Sequence, residues 1–123
     1  MDIHFYENGQ VPRPKNEIRI EELEIVVYPD RFRVYVHVKV TPFLERPNLL
    51  IAIRNSEGRV ISDQFVIETM HNDMEFTLHL RNVTEPAGDY TLRIEVFYET
   101  RNPPIDAIEQ TFTVPEEDVE EDA

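Results

Sequence analysis

The eleven residues from Arg31 to Thr41 alternate almost without interruption between apolar and polar side chains. Phe32, Val34, Val36, Val38 and Val40 share one parity; Arg33, Tyr35, His37 and Lys39 share the other. Alternate residues face opposite sides only in an extended strand, so the run predicts a strand with one dry face and one wet face. One-sided burial is typical of antiparallel sheets, because parallel sheets are covered on both faces. The first expectation is therefore an all-β chain folded as a sandwich.

The remaining pattern repeats the signal. Ile18 and Ile20 open a strand that continues through Leu23, Ile25 and Val27, and the change of parity between Ile20 and Leu23 predicts a bulge or a change of sheet. Tyr28-Pro29-Asp30-Arg31 predicts a tight turn. Asn48 to Arg54 predicts a third strand, joined to Val60–Ile67 by a hairpin in which Gly58 takes the positive φ. Met74 to Leu80, Tyr90 to Tyr98 and Ile108 to Val114 complete the set. Seven strands with turn signals every 8–12 residues are expected of a Greek-key, immunoglobulin-like β-sandwich. The boundaries follow: an N-terminal arm over residues 1–17 with one short edge strand (Ile3, Phe5) as an option, the sandwich over 18–115, and a disordered acidic tail over 116–123.

Two stretches carry a family likeness. Ile51-Ala52-Ile53-Arg54-Asn55-Ser56-Glu57-Gly58-Arg59-Val60-Ile61 and Glu85-Pro86-Ala87-Gly88-Asp89-Tyr90-Thr91-Leu92-Arg93-Ile94 together resemble bacterial immunoglobulin-like modules of the fibronectin-III and macroglobulin-domain type. The resemblance covers about Ile18 to Val114 and implies that Tyr90 is a corner tyrosine, its hydroxyl bonded to backbone a few residues upstream. It implies no catalytic residues. The missing strand cysteines and core tryptophan separate the chain from antibody domains.

Composition narrows the function. Asp and Glu outnumber Lys and Arg by 25 to 12, for a net charge of -13, and no basic stripe compensates. Neither a nucleic acid nor an anionic membrane is an expected partner. Cysteine is absent, which removes disulfides, thiolate metal sites and a cysteine nucleophile. The first residues carry no basic and apolar leader, as expected of a cytoplasmic chain, with a domain of an exported protein as the alternative.

No side-chain pattern supplies an enzyme. Ser56 and Ser62 lack a nucleophile-elbow context, Glu21-Glu22 reads as a solvated pair, and three glycines build no phosphate loop. Asn82-Val83-Thr84 matches a glycosylation acceptor but reads as a strand-end turn. His37 and His79 are candidate metal ligands, because their strands are expected to be neighbours with Glu75 close by. Met70, His71, Met74 and His79 form a softer set suited to copper, although Met74 fits the core alternation. Neither set outweighs a solvated surface, so no cofactor is expected.

Apolar residues at outward parity point elsewhere. Leu50, Ala52, Phe65 and Phe97 are expected to share one outer sheet face, with Ile67 beside them, and exposed apolar patches mark interfaces. Two occupants suit it: a protein partner, including a second copy in a homodimer, or the arm with Ile3, Phe5 and Tyr6 as cover. An arm lying on a neighbour instead would make a strand-swapped dimer. The sequence thus predicts a non-enzymatic protein-interaction module. A ligand- or metal-binding protein using His37 and His79, and an accessory domain of a larger secreted protein, are the alternatives.

Overall fold

The computed structural model describes residues 11–117. Among the described residues, seven strands follow a 3-10 turn at Lys15–Glu17: β1 (Ile20–Val27), β2 (Arg33–Val40), β3 (Asn48–Asn55), β4 (Val60–Val66), β5 (Asp73–His79), β6 (Gly88–Phe97) and β7 (Asp106–Val114). They form two antiparallel sheets, ordered β1-β2-β5 and β4-β3-β6-β7, which makes the chain an immunoglobulin-like β-sandwich. The strands run from Ile20 to Val114, and the expected edge strand at Ile3 and Phe5 and most of the acidic tail lie outside the described residues.

The alternating run is β2, the middle strand of the smaller sheet. Val34, Val36, Val38 and Val40 are fully buried, facing Leu49, Ile51 and Ile53 of β3 and Leu92, Ile94 and Val96 of β6 in one core. Fully burying one such side chain is worth about 1.5–3 kcal/mol, and this two-sided stack is what holds the sheets together. The flanking strand β1 is only half-buried on its apolar parity, as an edge strand must be. Phe32 is an exception to the sequence reading: the strand starts at Arg33, and Phe32 sits in the preceding turn, exposed.

Local geometry follows the punctuation. The parity change in β1 is a bulge, with Ile20 opposite Val40, Glu22 opposite Lys39, and Glu21 left as the extra residue. In the β1–β2 turn the Asp30 carboxylate accepts from the backbone N–H groups of Phe32 and Arg33 at 3.0 and 3.2 Å. The Arg33 guanidinium and those N–H groups hold that carboxyl below its ordinary range. Gly58 has φ +82°, the left-handed region the β3–β4 hairpin requires, and Asn55 caps the same hairpin by accepting from Glu57 and Arg59. β4 stops at Val66, one residue short of the expected Ile67.

Tyr90 is the corner tyrosine. Its buried hydroxyl donates to the carbonyl of Pro86 at 2.7 Å, and its ring stacks on Phe112 of β7 at 5.5 Å. Burial first, then the nearby Glu85 carboxylate, pushes its phenol upward in pKa.

Candidate functional site

The two outer faces differ in kind. On the smaller sheet, Lys39 of β2 lies 3.7 Å from Glu22 of β1, and the Tyr35 hydroxyl donates to Glu75 of β5 at 2.9 Å. Arg33 is paired with Asp30 at 2.7 Å and lies over the Tyr28 ring. The hydrogen bond to Glu75, chiefly, pushes the Tyr35 phenol up to about 12. His37 Nε2 sits 2.5 Å from an Asp73 oxygen. Most of the polar side chains at the centre of this face thus already have a partner across the ladder.

The strands of His37 and His79 are neighbours, as expected, but the register separates the two imidazoles. His37 stands opposite Glu75 and His79 opposite Arg33. A four-residue step along β2 therefore separates them, about 13 Å at the rise of a strand. His37 and His71 instead line one open groove of about 700 Å³ with Asp73, Met74 and Glu75. Met74 is buried and accepts from the Thr69 hydroxyl, which fits its core parity and removes it from a soft-metal set. Among the described residues no group of three or more His, Cys, Asp or Glu is placed to hold a metal.

The outer face of the larger sheet is built from Leu50 and Ala52 of β3, Asp63 and Phe65 of β4, Arg93, Glu95 and Phe97 of β6, and Ala107 and Glu109 of β7. Leu50 stands between Phe65 and Glu95, Ala52 between Asp63 and Arg93, and Asn48 opposite Phe97. Phe65 and Phe97 lie two strands apart, yet their rings meet edge-to-face over β3 at 5.7 Å. The sequence correctly put these four residues on one face but misjudged their exposure. Phe97 is only 7% exposed and Ala52 8%, because Phe65 leans over Phe97 and Ala52 is flanked by the longer Asp63 and Arg93. Leu50 is half-buried. What stands out to solvent is Phe65 at 51% and Ile67, just past β4, at 67%.

Glu95 is the feature of this face that the sequence reading missed. It is buried, with one oxygen accepting from Arg93 Nε at 2.9 Å and the other from Arg101 Nε at 2.8 Å. Burial alone would raise this carboxyl; the two guanidinium bonds outweigh it and hold it below the ordinary carboxylate range. Arg93 also reaches Glu109 on β7 at 3.2 Å, so the cluster ties three charges across two strands and fastens the β6–β7 loop. The signal was present as Arg93 and Glu95 on the same parity as Phe97. A polar residue between apolar neighbours does not reveal its burial without the loop partner Arg101.

No family description and no curated protein matches the sequence. Solved structures do match. The β-glucuronidase of Bifidobacterium dentium, in complex with coumarin-3-O-glucuronide, aligns with a TM-score of 0.53 at 21% identity, over 79% of this chain and 18% of that one. The β-D-glucuronidase of Dictyoglomus thermophilum aligns at 0.49 with 12% identity, over 80% of this chain and 16% of that one. A glycosyl hydrolase family 2 member from Bacteroides cellulosilyticus also aligns at 0.49, with 11% identity, over 79% and 15%. This chain spans less than a fifth of the length of these proteins. At 21% identity the Bifidobacterium dentium match shows a likeness of fold alone.

Proposed function

We propose that this chain is a non-catalytic β-sandwich module that works by packing against another protein domain through the outer face of its larger sheet. One observation carries the reading: Phe65 and Ile67 stand half to two-thirds exposed beside Leu50 on an otherwise ordered sheet face. Large apolar side chains gathered in this way are costly in water and are retained where a partner covers them. An accessory role within a larger protein is preferred to a homodimer. It is supported by the Bifidobacterium dentium match, in which the part that aligns with this chain makes up 18% of a larger enzyme.

The test has three arms. The purified chain is expected to be a monomer by light scattering, and Phe65→Asp or Leu50→Asp is expected to leave its mass and its folded baseline unchanged. A dimer that either substitution dissolves overturns the accessory reading in favour of self-association. Reading the gene beyond these codons is expected to find coding sequence for further domains. Hydrolysis of a chromogenic β-glucuronide by the pure chain would overturn the non-catalytic assignment.

A further inference from the structure

Among the described residues, β4 is the least guarded of the sheet edges. Strands β1, β5, β4 and β7 each border a sheet. An unpaired edge presents a row of N–H and C=O groups that templates another strand, and proteins blunt such edges with charges, proline or bulges. β1 carries Glu21, Glu22 and Glu24 and a bulge, and its first N–H donates to the Asp106 carboxylate of β7 at 2.8 Å. β5 carries Asp73, Glu75 and His79, and β7 carries Asp106 and Glu109. β4 has no proline and a single charge, Asp63, and its one register shift lies at the hairpin end.

The strand is also open on several sides. Phe65 has outward parity beside Leu50, whereas Gln64 has inward parity, opposite the fully buried Ile51. Both are exposed all the same, together with Asp63. The smaller sheet is one strand narrower, so β4 overhangs it at Gln64. Beside this stretch opens the groove of about 700 Å³, whose walls include Val66 of β4 and Met74 and Phe76 of β5.

Charge decides what kind of strand fits. Asp63, and Glu68 just past the strand, make no ion pair among the described residues. Asp73 and Glu75 bring two more carboxylates to the groove. Arg93, two strands away, is already paired with Glu95 and Glu109, and Arg54 and Arg59 stand at the hairpin end. A second copy would bring the same acids and a net charge of -13 of its own, so it is the wrong occupant. A basic extended segment meets complementary charge.

We propose that the partner adds an antiparallel strand to the free edge of β4, with a lysine or arginine opposite Asp63. Apolar residues two and four positions before that cation then stand opposite Phe65 and Ile67. Main-chain bonds along the edge supply the grip, and alternate side chains supply the specificity. The inference deepens the docking role proposed above and rests on it, because Phe65 and Ile67 serve both.

The probe is a capped peptide of the length of β4, seven residues, with the sequence Thr-Val-Thr-Val-Thr-Lys-Thr. β3 pairs with alternate N–H groups of β4, and the others point to the open edge. Hydrogen exchange of those edge amides is expected to slow by about threefold or more with the peptide at millimolar concentration. Two further peptides are N-methylated, one at the threonines and one at the valines and lysine. Only one of these sets faces β4, so only one of the two is expected to lose the effect. Asp63→Lys is expected to reverse the preference, favouring a peptide with glutamate in place of lysine. Both methylated peptides acting like the parent would overturn the added strand while leaving docking on the sheet face intact. No slowing by the parent peptide also overturns it, and the docking role then stands or falls on the mass and coding-sequence tests above. A preference unchanged by Asp63→Lys overturns the register. Slowing that grows with protein concentration alone overturns the proposal in favour of a second copy.

Discussion

Replacing Tyr90 with Phe tests the corner that orients β6, the strand carrying Arg93, Glu95 and Phe97. The change removes one oxygen and keeps the ring, so the stacking on Phe112 survives and the lost term is the 2.7 Å bond to the Pro86 carbonyl. A neutral hydrogen bond contributes about 0.5–1.5 kcal/mol net, and a buried carbonyl left without its donor costs about 1–3 kcal/mol. Pro86 is itself buried, so water does not reach that carbonyl freely and the upper range applies, about 2 kcal/mol in all. Equilibrium urea unfolding measures it, with an unchanged slope and a midpoint lowered by about 1 M. The pH dependence supplies a second check. Burial raises the folded-state pKa of Tyr90, so its contribution is complete below the unfolded value of about 10 and fades as pH rises through the folded one. The gap between wild type and Tyr90→Phe is therefore expected to narrow above about pH 10. A midpoint within about 0.2 M of wild type would refute the account of the corner.

Two further outcomes follow from the outer faces. Glu95→Gln is expected to destabilise by about 1 kcal/mol near neutral pH, at the low end for a charged hydrogen-bonded group because Arg93 and Arg101 remain partly in water. The folded pKa of Glu95 is depressed, so its contribution is present above the unfolded value of about 4.3 and is lost as pH falls through the folded one. Urea titrations at neutral and strongly acidic pH are then expected to show the variant and wild type converging in acid; a gap independent of pH would count against the ion cluster. Zinc or copper added in excess is expected to leave the melting temperature unmoved, since a ligand of the native state must raise it. A rise abolished by His37→Ala or His71→Ala would show that the groove beside β5 gathers ligands.

The elements that were legible in the sequence are those fixed by local chemistry. Alternation located β2 because each side chain's face depends only on its parity. The bulge in β1, the Asp30 turn and the Gly58 hairpin were legible because parity slips and special φ values leave marks within a few residues. The corner bond of Tyr90 was implied by the family resemblance, not by the pattern. Register was the quantity local signals did not carry. A shift of two residues between β2 and β5 preserves every inward face while moving His79 from one partner to another, so the proximity of His37 and His79 was beyond reach of the pattern. Exposure failed for a related reason: Phe97 has the right parity for a surface residue, and the ring that leans over it comes from a strand two places away.

The magnitude of the exposed patch bears on what kind of partner this face suits. On the smaller sheet Lys39, His37, Tyr35 and Arg33 are already matched to Glu22, Asp73, Glu75 and Asp30, so a partner docking there would exchange existing pairs for new ones at little gain. On the larger sheet Glu95 is likewise satisfied, and the gain must come from Phe65, Ile67 and the open half of Leu50. Fully burying a large apolar side chain yields about 1.5–3 kcal/mol, so these partly exposed residues together offer about 3–5 kcal/mol. Two free molecules lose about 4–15 kcal/mol of translational and rotational freedom on association, which consumes that gain. A domain joined to its neighbour by a short linker meets it at an effective concentration on the order of millimolar, and the same few contacts then suffice. On these magnitudes the proposed docking face suits a tethered neighbour better than a second free chain.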